Sequence, residues 1–202
     1  MIKTILFDFG DVFLNLDKLA TSRELQKLGV NVFTEEMLQW NQNYETGLLN
    51  SEGFITNYQN SFPNVSKEAL VKAWNAILLD FPQHRLDFLQ KLANENKYKC
   101  ILMSNTNEIH IDWVKENIPY FDAFKACFSD FYLSHEIQLR KPNKNIFEFI
   151  LKNHNLEPEE VFFVDDTKEN TDAAESLGIH VWNIDPVNED ITQLLQHKEF
   201  QE

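Results

Sequence analysis

The chain has 202 residues, an apolar fraction of 43% and 17 phenylalanines, enough to bury one sizeable core with a modest insertion. Its formal net charge is −14, which excludes nucleic acid and anionic membranes as main partners, since both are polyanions. A small anionic ligand remains compatible, because a local cation can reverse the field at one site.

Taken in chain order, residues 3–9 are a short apolar run that predicts a buried strand, ending in Asp8-Phe9-Gly10-Asp11. From residue 16 to about residue 80 the pattern is helical and amphipathic throughout, too long for an ordinary crossover, and predicts a helical insertion over the site. A helix is expected over 85–94, a second strand over 99–103 and a helix over 107–116. A third strand is expected over 125–129, then a helix over 145–153 and a fourth strand over 161–164, leading into Asp165-Asp166. A helix over 170–177 stopped by Gly178, a fifth strand over 180–184 and a C-terminal helix over 191–197 complete the chain. Strands alternating with helices predict a doubly wound, Rossmann-like α/β fold with a parallel sheet. Residues 1–15 and 81–202 would form its core domain, and residues 16–80 a small helical cap.

Cys100 and Cys127 lie in apolar runs without a C-x-x-C pattern and read as free thiols, which fits a reducing compartment. Asp8 and Asp11 interrupt the only early apolar stretch, so no signal-peptide core is expected. No uncharged run reaches membrane-spanning length, and a cytoplasmic protein, monomer or homodimer, is expected.

Ligands of open α/β sheets bind outside the carboxyl ends of the strands. Those ends carry Asp8, then Ser104-Asn105, then Lys141 in LRKPN, then Asp165-Asp166 in FFVDD. Carboxylates from the first and fourth strands offer hard oxygens suited to Mg²⁺. Ser104 and the amides behind it open a helix and can hold phosphate oxygens. Lys141 supplies a point charge that screens phosphate and carboxylate alike. A carboxylate held beside a metal and a bound phosphate can attack phosphorus and form an aspartyl-phosphate.

These motifs resemble the haloacid dehalogenase-like hydrolase superfamily over essentially the whole chain. Asp8-Phe9-Gly10-Asp11-Val12 stands where the family has D-x-D-x-[T/V]; Ser104, Lys141 and Asp165-Asp166 match its other three motifs. The phrases MSNTN, YLSHEIQLRKP and YETG look similar to bacterial sugar-phosphate phosphatases of the α-D-glucose-1-phosphate phosphatase type. The resemblance implies a Mg²⁺-dependent phosphatase acting on a small phosphorylated substrate. By it Asp8 is nucleophile and metal ligand, the Gly10 carbonyl a second ligand, and Asp165 and Asp166 complete the shell. Ser104 and Asn105 would bind the phosphoryl group and Lys141 would neutralise charge.

The departure is Gly10, where the family usually has the Asp that protonates the leaving group and activates water. Asp11 and His110 are the nearest substitutes by position. Two alternatives follow from Gly10: a metal-free 2-haloacid dehalogenase-type hydrolase, and a phosphate-binding module with impaired turnover. Adjacent acids at Asp165-Asp166 weigh against the first, because without a cation they would face Asp8 as unpaired charge. Trp40, Tyr44, Glu45 and Trp74 are candidates for the leaving-group pocket.

Overall fold

The computed structural model describes residues 1–201. Five parallel strands run through its centre: β1 (Thr4–Phe7), β2 (Lys99–Ser104), β3 (Asp130–Leu133), β4 (Val161–Asp165) and β5 (His180–Asn183), in the order β3-β2-β1-β4-β5. The register is set by Phe7 opposite Leu102 on one side and Val164 on the other. The chain steps from β1 outward to β3, then returns past β1 to β4. The strand order therefore reverses beside β1, and the carboxyl ends of β1 and β4 flank the crevice where such sheets bind ligands.

The strands read as continuous apolar runs because both sheet faces are covered. Ile5 and Phe7 of β1, Leu102 of β2, and Phe162 and Val164 of β4 enter one core cluster. Leu6, Ile101, Met103 and Phe163 point the other way into a second. Phenylalanines pack the first face edge to face beneath the strand ends; the ring of Phe124, for instance, lies 5.1 Å from that of Phe13 and 4.9 Å from that of Phe128. The covering helices are α5 (Gln83–Asn94), α6 (Glu108–Asn117), α7 (Phe121–Lys125), α8 (Ser134–Ile137), α9 (Lys144–His154) and α10 (Lys168–Glu175).

Two expectations are corrected. Residues 125–129 are not a strand: Lys125 ends α7, and β3 follows at Asp130–Leu133. Phe121 and Phe124 turn into the core from α7, and Phe128 follows them there from the turn beyond it, so burial of these rings favours helix and turn over a strand. The C-terminal segment is not an α-helix but a 3₁₀ turn over Ile191–Gln196, opened by a reciprocal cap between Asp190 and Gln193.

Between β1 and α5 the chain forms four helices: α1 (Ala20–Lys27), α2 (Glu35–Glu45), α3 (Ser51–Ser61) and α4 (Lys67–Asn75). Thr34, Asn50 and Ser66 cap the last three by accepting the backbone N–H of Met37, Gly53 and Ala69. Their apolar faces meet in a third cluster built on Leu25, Tyr44, Phe54, Tyr58 and Trp74. The lobe leaves and rejoins the sheet on two adjacent segments, where Asn15 N–H donates to Asp80 O and Asp17 N–H to Ile77 O. Cys100 and Cys127 are free. Among the described residues no helix is long and apolar enough to cross a membrane.

Candidate active site

Asp8 is the first residue past β1, Ser104 the last of β2 and Asp165 the last of β4, so the parallel sheet brings them to one edge. A cleft of about 410 Å³ opens there, lined by Asp8, Gly10, Ser104, Asn105, Lys141 and Asp166, with Lys18, Glu45 and Arg140 at its wall.

Lys141 is the anchor. Its side chain is only 1% exposed, and Nζ lies 2.8 Å from Asp8 Oδ1 and 2.6 Å from Asp165 Oδ2. The loop that carries it is tied to the end of β2 by a reciprocal pair. Asn105 Nδ2 donates to Lys141 O at 2.8 Å, and Lys141 N–H donates to Asn105 Oδ1 at 3.0 Å. The Asn105 side chain is thereby committed to bracing Lys141.

The acid pair splits into two environments. Asp165 is fully buried and saturated: Oδ1 accepts the Thr167 N–H at 2.8 Å, Asn170 Nδ2 reaches both oxygens at 3.0 Å, and Lys141 takes Oδ2. Asp166 instead lines the cleft, and its Oδ2 is held by Lys18, which also sits 3.2 Å from Asp11 Oδ2. Burial pushes the Asp166 carboxyl above the usual carboxylate range despite Lys18.

Burial likewise raises the Asp8 carboxyl to about 7, against the pull of Lys141, while burial at Lys141 is outweighed by its two carboxylates, which hold it charged. The two directions agree because one ammonium is shared between two acids: Lys141 gains from both, and Asp8 must share with Asp165. An oxygen of each of Asp8, Asp165 and Asp166 lies within 4.8 Å of the others. Such a cluster of hard oxygens suits a divalent cation of the Mg²⁺ kind. The Gly10 carbonyl oxygen accepts no hydrogen bond among the described residues.

Neither positional substitute for an acid at residue 10 is available. Asp11 takes the Leu16 N–H on Oδ1 at 2.9 Å and Lys18 on Oδ2, and does not line the cleft. His110 is pulled down to about 4 by burial; Nε2 faces Trp74 O at 3.2 Å and Nδ1 faces Asn107 Nδ2 at 3.1 Å, so both ring nitrogens are engaged. Of the four leaving-group candidates, only Glu45 lines the cleft. Trp40, Tyr44 and Trp74 pack against Tyr58 and Phe54 inside the lobe.

Sequence reading missed Lys18, Arg140 and Asn170 at this site. Asn170 had a signal, because a residue five beyond Asp165 lies in the first turn of the helix that leaves β4. Lys18 had none.

Residues 2–178 match the model of the haloacid dehalogenase-like hydrolases. A D-ribitol-5-phosphate phosphatase of Bacteroides thetaiotaomicron is 27% identical over 192 residues, 90% of this chain and 91% of that one. A solved magnesium complex of a haloacid dehalogenase family enzyme from the same organism superposes with a TM-score of 0.86 at 32% identity, covering 97% and 99% of the two chains. A complex of that enzyme with magnesium and inorganic phosphate gives 0.83 at 33% identity, covering 96% and 99%. The motifs, the strand order and these likenesses agree, and the chain belongs to the haloacid dehalogenase-like hydrolases.

Proposed function

We propose that the protein is a Mg²⁺-dependent phosphomonoester hydrolase acting on a small sugar or polyol phosphate through an aspartyl-phosphate on Asp8. The observation that carries this reading is the buried Asp8–Lys141–Asp165 triad beside Asp166 in one cleft. The likeness to a ribitol phosphate phosphatase and to a magnesium–phosphate complex supports the metal and the substrate class.

Asp8, Asp166 and the Gly10 carbonyl would hold the cation, which supplies charge neutralisation and Lewis-acid polarisation of the phosphoryl group. Asp165 would serve differently, because its oxygens are already saturated. It fixes the Lys141 ammonium, and Lys141 in turn fixes Asp8 by Oδ1, leaving Oδ2 without a protein partner among the described residues. That oxygen attacks phosphorus; Ser104 and the Asn105 backbone amide would receive the phosphoryl oxygens, and Lys141 offsets their charge. The same carboxylate cluster argues against a metal-free dehalogenase, which gains nothing from Asp166 facing its nucleophile.

Phosphate release from p-nitrophenyl phosphate and from a panel of sugar and polyol phosphates tests the reading. Activity should vanish in excess EDTA and return with Mg²⁺. Release that persists undiminished in EDTA, or release from none of the panel with Mg²⁺ present, would refute it.

A further inference from the structure

We propose that the Glu45 carboxyl group, delivered to the cleft by the helical lobe, is the proton donor to the leaving alcohol and fills the role that Gly10 leaves empty. The proposal rests on the phosphatase reading above and deepens it.

Three contacts aim this residue. Ser134 Oγ donates to the Glu45 carbonyl oxygen at 2.6 Å. Gly47 lies at φ +66, and a Cβ there would stand 2.0 Å from the His135 carbonyl oxygen, so only glycine lets the lobe backbone close on α8. Tyr44 OH accepts the Ile109 N–H at 3.0 Å at the start of α6, while its ring stacks 4.3 Å from Phe54 inside the lobe. The phrase Tyr44-Glu45-Thr46-Gly47 is thus a clamp between lobe and sheet, and Glu45 is the residue it turns into the cleft.

The site needs an acid, and the other acids near it are engaged or lie exposed at its rim. Asp8 is the nucleophile, Asp166 faces the metal position, and Asp165 is saturated. Asp11 and His110 are committed elsewhere, and Glu169 is exposed on α10. Glu45 carries one neighbour, Arg140, whose Nη2 lies 3.0 Å from Oε2; Oε1 has no partner among the described residues. Burial outweighs Arg140 and raises the Glu45 carboxyl, so that it holds a proton more readily than an ordinary glutamate. The charged and titratable groups that share its cleft are Arg140, Lys141, Lys18, Asp8, Asp166 and Glu169.

The steps balance. Asp8 attacks phosphorus, the bond from phosphorus to the alcohol oxygen breaks, and that oxygen takes the Glu45 proton to leave as the free alcohol. The Glu45 carboxylate then takes a proton from water as the water oxygen attacks phosphorus. The Asp8–phosphorus bond breaks, inorganic phosphate leaves, and Glu45 is protonated again.

The test is Glu45→Gln, with kcat/KM measured against pH for a polyol phosphate and for p-nitrophenyl phosphate. An alkoxide needs the proton and a nitrophenolate does not, so the alkyl substrate should lose roughly 10²–10⁴-fold. The aryl substrate should lose at least tenfold less, and the basic limb of the alkyl profile should disappear. Equal losses on both substrates, no loss on either, or an unchanged basic limb would overturn the proposal. Glu45→Ala gives an independent reading: added acetate should restore alkyl turnover at least several-fold, and no restoration in a folded variant would count against a proton-transfer role. Asp8→Asn is the control for the parent reading, since retained hydrolysis there would sink the phosphatase mechanism whatever Glu45 does.

Discussion

Asp8→Asn should abolish turnover and at the same time stabilise the metal-free protein near neutral pH. The reason lies in how the fold holds this carboxyl. Burial raises it to about 7, from roughly 3.9 for an ordinary aspartate. Below about pH 4 the folded and unfolded chains both hold the proton, and the residue is neutral in the balance. As pH rises from there, the unfolded chain releases its proton while the folded one retains it. Proton release favours the unfolded state, so stability falls until about pH 7, above which both states are ionised and the full penalty stands. A shift of about three pH units at 1.36 kcal/mol each corresponds to about 4 kcal/mol at most. Asparagine has no charge to desolvate but gives up the attraction to Lys141, so a net gain of about 1–4 kcal/mol is expected near pH 8. At roughly 2–4 °C per kcal/mol for a chain of this size, the melting temperature in EDTA should rise by several degrees. The assay is thermal or urea unfolding of both proteins in EDTA, near pH 5 and near pH 8, repeated with Mg²⁺. Wild type should be less stable at the higher pH, the variant should lose that slope, and Mg²⁺ should stabilise wild type more than the variant. A variant less stable than wild type near pH 8 without metal, with the same pH slope, would refute the reasoning.

Lys141→Met removes the one ammonium between two buried carboxylates and should destabilise the fold by about 3–5 kcal/mol, less at acid pH, where protonation relieves the pair. Vanadate binding should weaken with it; a melting temperature and an inhibition constant both unchanged would place the lysine outside the site. Gly10→Asp meets a side chain and not the backbone: its new Cβ would stand 2.7 Å from Leu16 Cδ1, and Gly10 is not among the residues at positive φ. The single substitution should cost about 1–3 kcal/mol by overpacking, and Leu16→Ala should relieve part of that in urea melts. In a Glu45→Gln background, the pair Gly10→Asp and Leu16→Ala should raise alkyl phosphate kcat/KM at least tenfold. No gain from a folded triple variant would argue that the missing element is not an acid.

Much of this was legible in order along the chain. A parallel sheet presents all its carboxyl ends on one side, so Asp8, Ser104 and Asp165-Asp166 could be placed together from strand pattern alone, although they lie more than 150 residues apart at the extremes. Lys141 stands well past the end of β3 and reaches the same edge through a loop tied to Asn105. What the pattern could not decide were choices made by packing. The run over residues 125–129 reads as a strand, yet packing of Phe128 against the Phe124 ring of α7 makes it the turn that ends that helix. Asp165 and Asp166 are identical as letters; their hydrogen bonds set one against Lys141 and leave the other to the cleft. His110 and Asp11 were plausible acids by position, until burial and existing partners removed both. Glu45 stood among four indistinguishable lobe residues, and what singles it out is the approach of Gly47 to His135 and the Ser134 bond to its carbonyl. Strand-end chemistry is local and repeats with the backbone, so sequence carries it. The aim of a side chain delivered by a separate lobe depends on contacts between segments some ninety residues apart, and those exist only once both surfaces have folded.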